Sequence, residues 1–95
     1  MTTILTRLAI LERVLVEGLR AGLPEPDVTA ALDPSGGVTL QWATRGPVQS
    51  WAAHFGMTVG EHTVYGATVT VHVDAVGLVG DATTRVRFTA VEAAS

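Results

Sequence analysis

The chain has no cysteine, no lysine and no asparagine. Without cysteine, neither a disulfide framework nor a thiolate metal site is available, which fits a reducing compartment. Without lysine, every fixed side-chain cation is an arginine, and six of them stand against nine carboxylates for a formal net charge of −3. That balance argues against non-specific nucleic-acid binding, which needs a basic face. Charged residues make up only 16% of the chain and aromatic residues 5%. Trp42, Trp51 and Phe55 are therefore expected in a core rather than on a base-stacking platform. Long apolar runs are missing too. The stretch MTTILTRLAILERVLVEGLRAG is broken by Arg7, Glu12, Arg13, Glu17 and Arg20, so it reads neither as a secretory signal nor as a membrane span. A cytoplasmic protein with no membrane or nucleic-acid partner is expected.

What is present is apolar: 47% of 95 residues, ample for the core of a single domain spanning residues 1–95. Abundant alanine, glycine, valine and arginine beside absent lysine and asparagine point to a GC-rich genome. Residues 3–21 read as a helix, with Ile4, Leu8, Leu11, Leu15 and Leu19 at three- and four-residue steps. Gly22 and Pro24 stand where a left-handed terminator and a helix stop are expected. A hairpin follows. The turn DPSGG has the chemistry of a type I turn with a glycine bulge. It pairs Leu32 with Val38, Ala30 with Leu40 and Val28 with Trp42, which puts all six on one face.

The stretch RGPVQSWAAHFG reads as a second helix, with Gly46 near the N-cap, Pro47 at the first helical position and Gly56 closing it. Residues 57–66 fit either a short strand followed by a loop or an edge strand reaching Tyr65. In the last hairpin a two-residue loop at Gly80-Asp81 pairs Val73 with Phe88, Asp74 with Arg87 and His72 with Thr89. The expected architecture is an α+β domain, an α-β-β-α-β-β two-layer sandwich. Its sheet is antiparallel, with two helices on one face.

Chemistry-bearing residues are few. In TVTVHVD, residues 68–74, valines alternate with threonines, His72 and Asp74, so His72 and Asp74 lie on the wet face of a strand. Serine occurs only at positions 35, 50 and 95, and no nucleophile motif surrounds any of them. His54, His62 and His72, with Glu61 and Asp74, show none of the close ligand spacings of a metal site. Neither a phosphate loop nor a dinucleotide fingerprint is present. No catalytic residue, metal or cofactor is assigned, and a non-enzymatic protein is expected.

From Trp51 onward, WAAHFGMTV and VTVHVDAVGLVGDATTRVRFTAV resemble small uncharacterised proteins of actinobacteria and their phages. Those share a short W-A-x-x-x-G helix, a polar loop and a carboxy-terminal hairpin. The resemblance implies an accessory protein of a phage or mobile element and carries over no activity. The expected function is a non-catalytic interaction protein, a homo-oligomer (a dimer) that binds a protein partner. The alternative is a small-ligand module with a pocket near Glu61, His62 and Tyr65. The first helix has too narrow a polar stripe to be left in water on three sides. Its flank Ile10, Val14 and Ala21, with Gly18 allowing close approach, is the expected dimer interface.

Overall fold

The computed structural model describes residues 4–79 and 84–94. Two helices and five strands follow the order α1 (Ile4–Arg20), β1 (Thr29–Leu32), β2 (Val38–Trp42), α2 (Arg45–Phe55), β3 (Val59–Tyr65), β4 (Val69–Leu78) and β5 (Arg85–Ala93). The strands form one sheet in the order β1-β2-β5-β4-β3. It is an α+β fold, but the sheet is mixed rather than antiparallel. Strands β2 and β5 run parallel at its centre, with Val38 beside Val86 and Trp42 beside Ala90. The expected four strands become five because residues 59–65 pair with β4 along their whole length.

Both helices end as their glycines direct. Gly22 has φ +82. Its N–H donates to the Leu19 carbonyl at 3.1 Å, and the Leu23 N–H donates to that of Gly18 at 3.0 Å. Gly56, φ +70, closes α2 with the same pair of bonds, from Gly56 to Ala53 and from Met57 to Ala52. Each cap satisfies carbonyls that a helix terminus otherwise leaves open.

The first hairpin has the expected register, Leu32 opposite Val38 and Ala30 opposite Leu40. Gly36 takes φ +107. Gly37 has a different role: a Cβ there would stand 2.5 Å from the Arg85 carbonyl oxygen, so the bare backbone lets β5 approach the start of β2. Asp33 organises the turn. Its carboxylate accepts from the Ser35 N–H at 2.9 Å, the Ser35 hydroxyl at 2.7 Å and the Thr39 hydroxyl at 2.8 Å. The bonds from Ser35, then that from Thr39, lower its pKa from 3.8 to about 2. A carboxylate depressed by folding contributes stability above its unfolded pKa and loses it as pH falls through the folded one. The melting temperature should therefore drop between about pH 4 and pH 2, and the drop should be shallower in Asp33→Asn. Circular-dichroism melts across that range check this, and equal slopes would remove Asp33 from the account.

In the last hairpin the faces are as expected and the register is not. Val73 stands opposite Ala90 and Ala75 opposite Phe88, two residues along from the expected pairing. The expected Gly80-Asp81 loop lies outside the described residues. Val38, Leu40, Trp42, Val73, Ala75, Val86, Phe88 and Ala90 from the strands share one core with Ile10, Val14, Val48, Trp51 and Ala52 from the helices. At its centre Trp42, Trp51, Phe55 and Phe88 meet with ring centroids 5.2–6.1 Å apart. Both indole N–H groups donate to the Pro24 carbonyl, at 3.2 Å from Trp42 and 2.8 Å from Trp51. The connector after α1 thus satisfies the only polar atoms those rings bring inside.

The azimuth of α1 corrects the expected interface. Ile10, Val14 and Gly18 are buried within the chain itself, and only Ala21 of that set is exposed. The cause is Trp51, whose ring lies against the bare Cα of Gly18. Turning that arc inward carries Ile4, Leu8 and Leu19 out to the surface and leaves Leu11 and Leu15 half-buried.

Candidate functional site

Strand alternation places Thr39, Gln41, His72, Asp74, Arg87 and Thr89 on the sheet face opposite the core. With His62 and Asp33 they line a shallow concavity of about 510 Å³. The register sets the neighbours. A row runs across the sheet from Thr29 through Gln41, Thr89 and Asp74 to Gly60. One step along, His62 stands directly opposite His72. Their rings stack with centroids 5.0 Å apart and planes 25° from parallel.

Asp74 was expected to pair with Arg87. Instead its Oδ1 accepts a hydrogen bond from the Thr89 hydroxyl, and its Oδ2 lies 3.9 Å from His62 Nδ1. Arg87 stands opposite Val76 and beside Thr39. Gly60 faces Asp74 across the β3–β4 pair and brings no side chain to cover the carboxylate.

The third histidine is elsewhere. His54 is on α2, its Nε2 3.2 Å from Glu17 Oε2 on α1. Among the described residues, no three His, Asp or Glu side chains converge as metal ligands. Ser35 is bonded to Asp33 in the first turn, and the Ser50 hydroxyl donates to the Gly46 carbonyl of its own helix. The Thr89 hydroxyl is 8% exposed as a residue and already committed to Asp74.

Glu61, His62 and Tyr65, the residues of the alternative small-ligand reading, lie on strand β3. Glu61 points to the side opposite His62 and accepts from Arg45 at 2.9 Å, while Tyr65 is 81% exposed at the strand end. Arg45 is the hub of that side. Its backbone N–H and its Nε donate to the Glu92 carboxylate at 3.0 and 2.8 Å. The Arg45 side chain, then its backbone N–H, hold the Glu92 pKa below the ordinary carboxylate value. This triad pins the start of α2 to the end of β5 and to β3. Its members are too far apart in sequence for spacing to reveal it.

A further surface feature is on α1. Ile4, Leu5, Leu8, Val16 and Leu19 are all exposed, Leu5 at 78%. Two shallow grooves run along the helix, one lined by Leu8, Leu11, Glu12, Leu15 and Val16, the other by Ala9, Arg13, Glu17 and Arg20 together with Glu12 and Val16. Among the described residues, no helix is long and apolar enough to cross a membrane. Comparison with known proteins finds no matching family model, no similar curated protein and no similar solved structure.

Proposed function

We propose that the chain is a non-catalytic interaction protein, a homo-oligomer that binds a second protein through the outward face of α1. In this reading both helices cover the same sheet face in two layers, which leaves the far side of α1 to a partner. The observation that carries it is the run of apolar side chains at Leu5, Leu8, Val16 and Leu19, exposed with Glu12 the only charge among them. On a 100° wheel these residues, with Leu11 and Leu15, form one stripe wider than a single helix face needs to cover its own core. Contiguous exposed apolar surface of this kind marks interaction sites.

The fitting partner is an amphipathic helix that lays its apolar side into the grooves beside Leu8 and Val16. Arg13 and Arg20 at the rim suit acidic residues flanking that side. The accessory role in a phage or mobile element rests on the resemblance of the carboxy-terminal half to small uncharacterised proteins of actinobacteria and their phages.

A Leu8→Glu/Val16→Glu variant tests the reading. Both residues are exposed, so the folding free energy should change by less than about 1 kcal/mol. Capture of a stoichiometric partner from a GC-rich host lysate should be lost. Equal recovery by wild type and variant would move the contact elsewhere, and no specific partner for either would count against the proposal.

A further inference from the structure

The two edges of the sheet are guarded differently. Strand β1 has four residues. Arg7 of α1 donates to the Asp33 carbonyl at its end, 3.2 Å away. Strand β3 has seven residues, VGEHTVY, of which six are exposed. It pairs with β4 on one side through an unbroken register from Val59 to Tyr65. No other described strand pairs with it. It holds no proline and no bulge, two of the devices that keep an exposed edge from adding another strand, and its one fixed charge, Glu61, is engaged by Arg45 of the same chain.

We infer that the β3 edge pairs antiparallel with β3 of a second copy, about a two-fold axis at His62. This names the contact of the homo-oligomer proposed above and rests on that reading. The register follows from the strand itself. His62 is the middle residue of Val59–Tyr65, so an axis there aligns all seven positions. Val59 meets Tyr65 of the second copy, Gly60 meets Val64, and Glu61 meets Thr63. Centring one residue earlier shortens the overlap and sets Glu61 against Glu61, like charges directly opposed. Centring one residue later shortens it equally. The cover over β3 is light, because α2 packs chiefly on β5 and β4. Glu61, Thr63 and Tyr65 on that side are exposed.

The second copy also completes a feature that one chain holds by half. His62 already stacks on His72 across the β3–β4 pair. Pairing at His62 extends this to a row of four imidazoles across the joint, with an Asp74 carboxylate beside each half. A seven-residue edge contact is small beside standard protein interfaces and belongs with weak, transient ones, so a concentration-dependent dimer that forms by about 100 µM is expected.

The absence of cysteine allows a direct test by single substitutions. Directly opposed residues of an antiparallel pair bring their Cβ atoms close to disulfide distance. Under mild oxidation His62→Cys should cross-link to a dimer at least about tenfold faster than Ser50→Cys, a control on the exposed side of α2. Gly60→Cys should not cross-link with itself but should do so when mixed with Val64→Cys. The α1 variant Leu8→Glu/Val16→Glu, carrying His62→Cys, should cross-link at the same rate, so failure at α1 and failure at β3 are read separately. Sedimentation of the wild type, which needs no substitution, should show a concentration-dependent dimer. A wild type that stays monomeric at about 100 µM overturns the inference. So does cross-linking of Gly60→Cys with itself as fast as His62→Cys, or equal rates for His62→Cys and Ser50→Cys.

Discussion

Replacing Gly18 by alanine is expected to destabilise the protein by about 2 kcal/mol or more, although alanine is the better helix former by roughly 1 kcal/mol. A Cβ at position 18 would lie 2.1, 2.2 and 2.8 Å from Cη2, Cζ3 and Cζ2 of Trp51, well inside any real carbon contact. Neither side yields easily. Trp51 is fully buried and stacked on Phe55 at 6.1 Å, and its Nε1 is held by the Pro24 carbonyl. Helix α1 is fixed on either side of Gly18 by buried Val14 and by the cap bond from Leu23 to the Gly18 carbonyl. For a domain of this size, 2 kcal/mol lowers the melting temperature by roughly 8–16 °C. The decisive measurement is a double-mutant cycle by urea unfolding. In a Trp51→Leu background the obstructing ring is gone, so Gly18→Ala should become neutral or stabilising, a coupling of about 2 kcal/mol. A neutral Gly18→Ala in the wild type would show that α1 does not sit on Trp51.

The same contact explains why the orientation of α1 was illegible in the sequence. The helix is apolar nearly all round, so its three- and four-residue spacing supports several inward faces about equally. The leucine-rich arc looks the heavier, yet the arc that turns in is Ile10, Val14 and Gly18. The deciding factor is the size of Trp51, a residue 33 positions away that no local pattern connects to Gly18. Some local signals are followed by the structure, whereas the register expected from the equally local Gly80-Asp81 turn is two residues off. The glycines that close both helices and the register through DPSGG are set by residues within a few positions of each other.

Long-range pairing was not legible. The parallel contact of β2 with β5 joins segments separated by α2, β3 and β4. Of the two readings that fit residues 57–66, the structure takes the edge strand, over Val59–Tyr65, exposed along six of its seven residues. Exposed on both sides, it carries no alternation of apolar and polar residues for a reader to find. The site suffered accordingly. His72 and Asp74 were placed on the correct face, but the partner ring of His62 came from that segment.

The final hairpin shows what a face pattern can and cannot fix. A slip of one residue reverses every side chain, whereas a slip of two leaves all of them on the same face. Val73, Ala75, Val86, Phe88 and Ala90 are inward in either register, and the alternation cannot choose between them. Truncating Phe88 is therefore a test of face, with an expected cost of about 3–5 kcal/mol. Phe88 is fully buried, with Trp42, Trp51 and Phe55 at centroid distances of 6.0, 5.7 and 5.5 Å. Its neighbour Arg87 points the other way and is exposed, so Arg87→Ala should cost under about 0.5 kcal/mol. Comparable costs for the two would mean that β5 is turned over. Register needs a second pair. Phe88 stands opposite Ala75, and Val73 stands opposite Ala90. Enlarging Ala75 to valine should then cost about 1–3 kcal/mol as overpacking against the ring. In a Phe88→Leu background most of that cost should disappear, giving a coupling above about 1 kcal/mol by the same unfolding measurement. Additive effects of Ala75→Val and Phe88→Leu would place another residue across from Phe88.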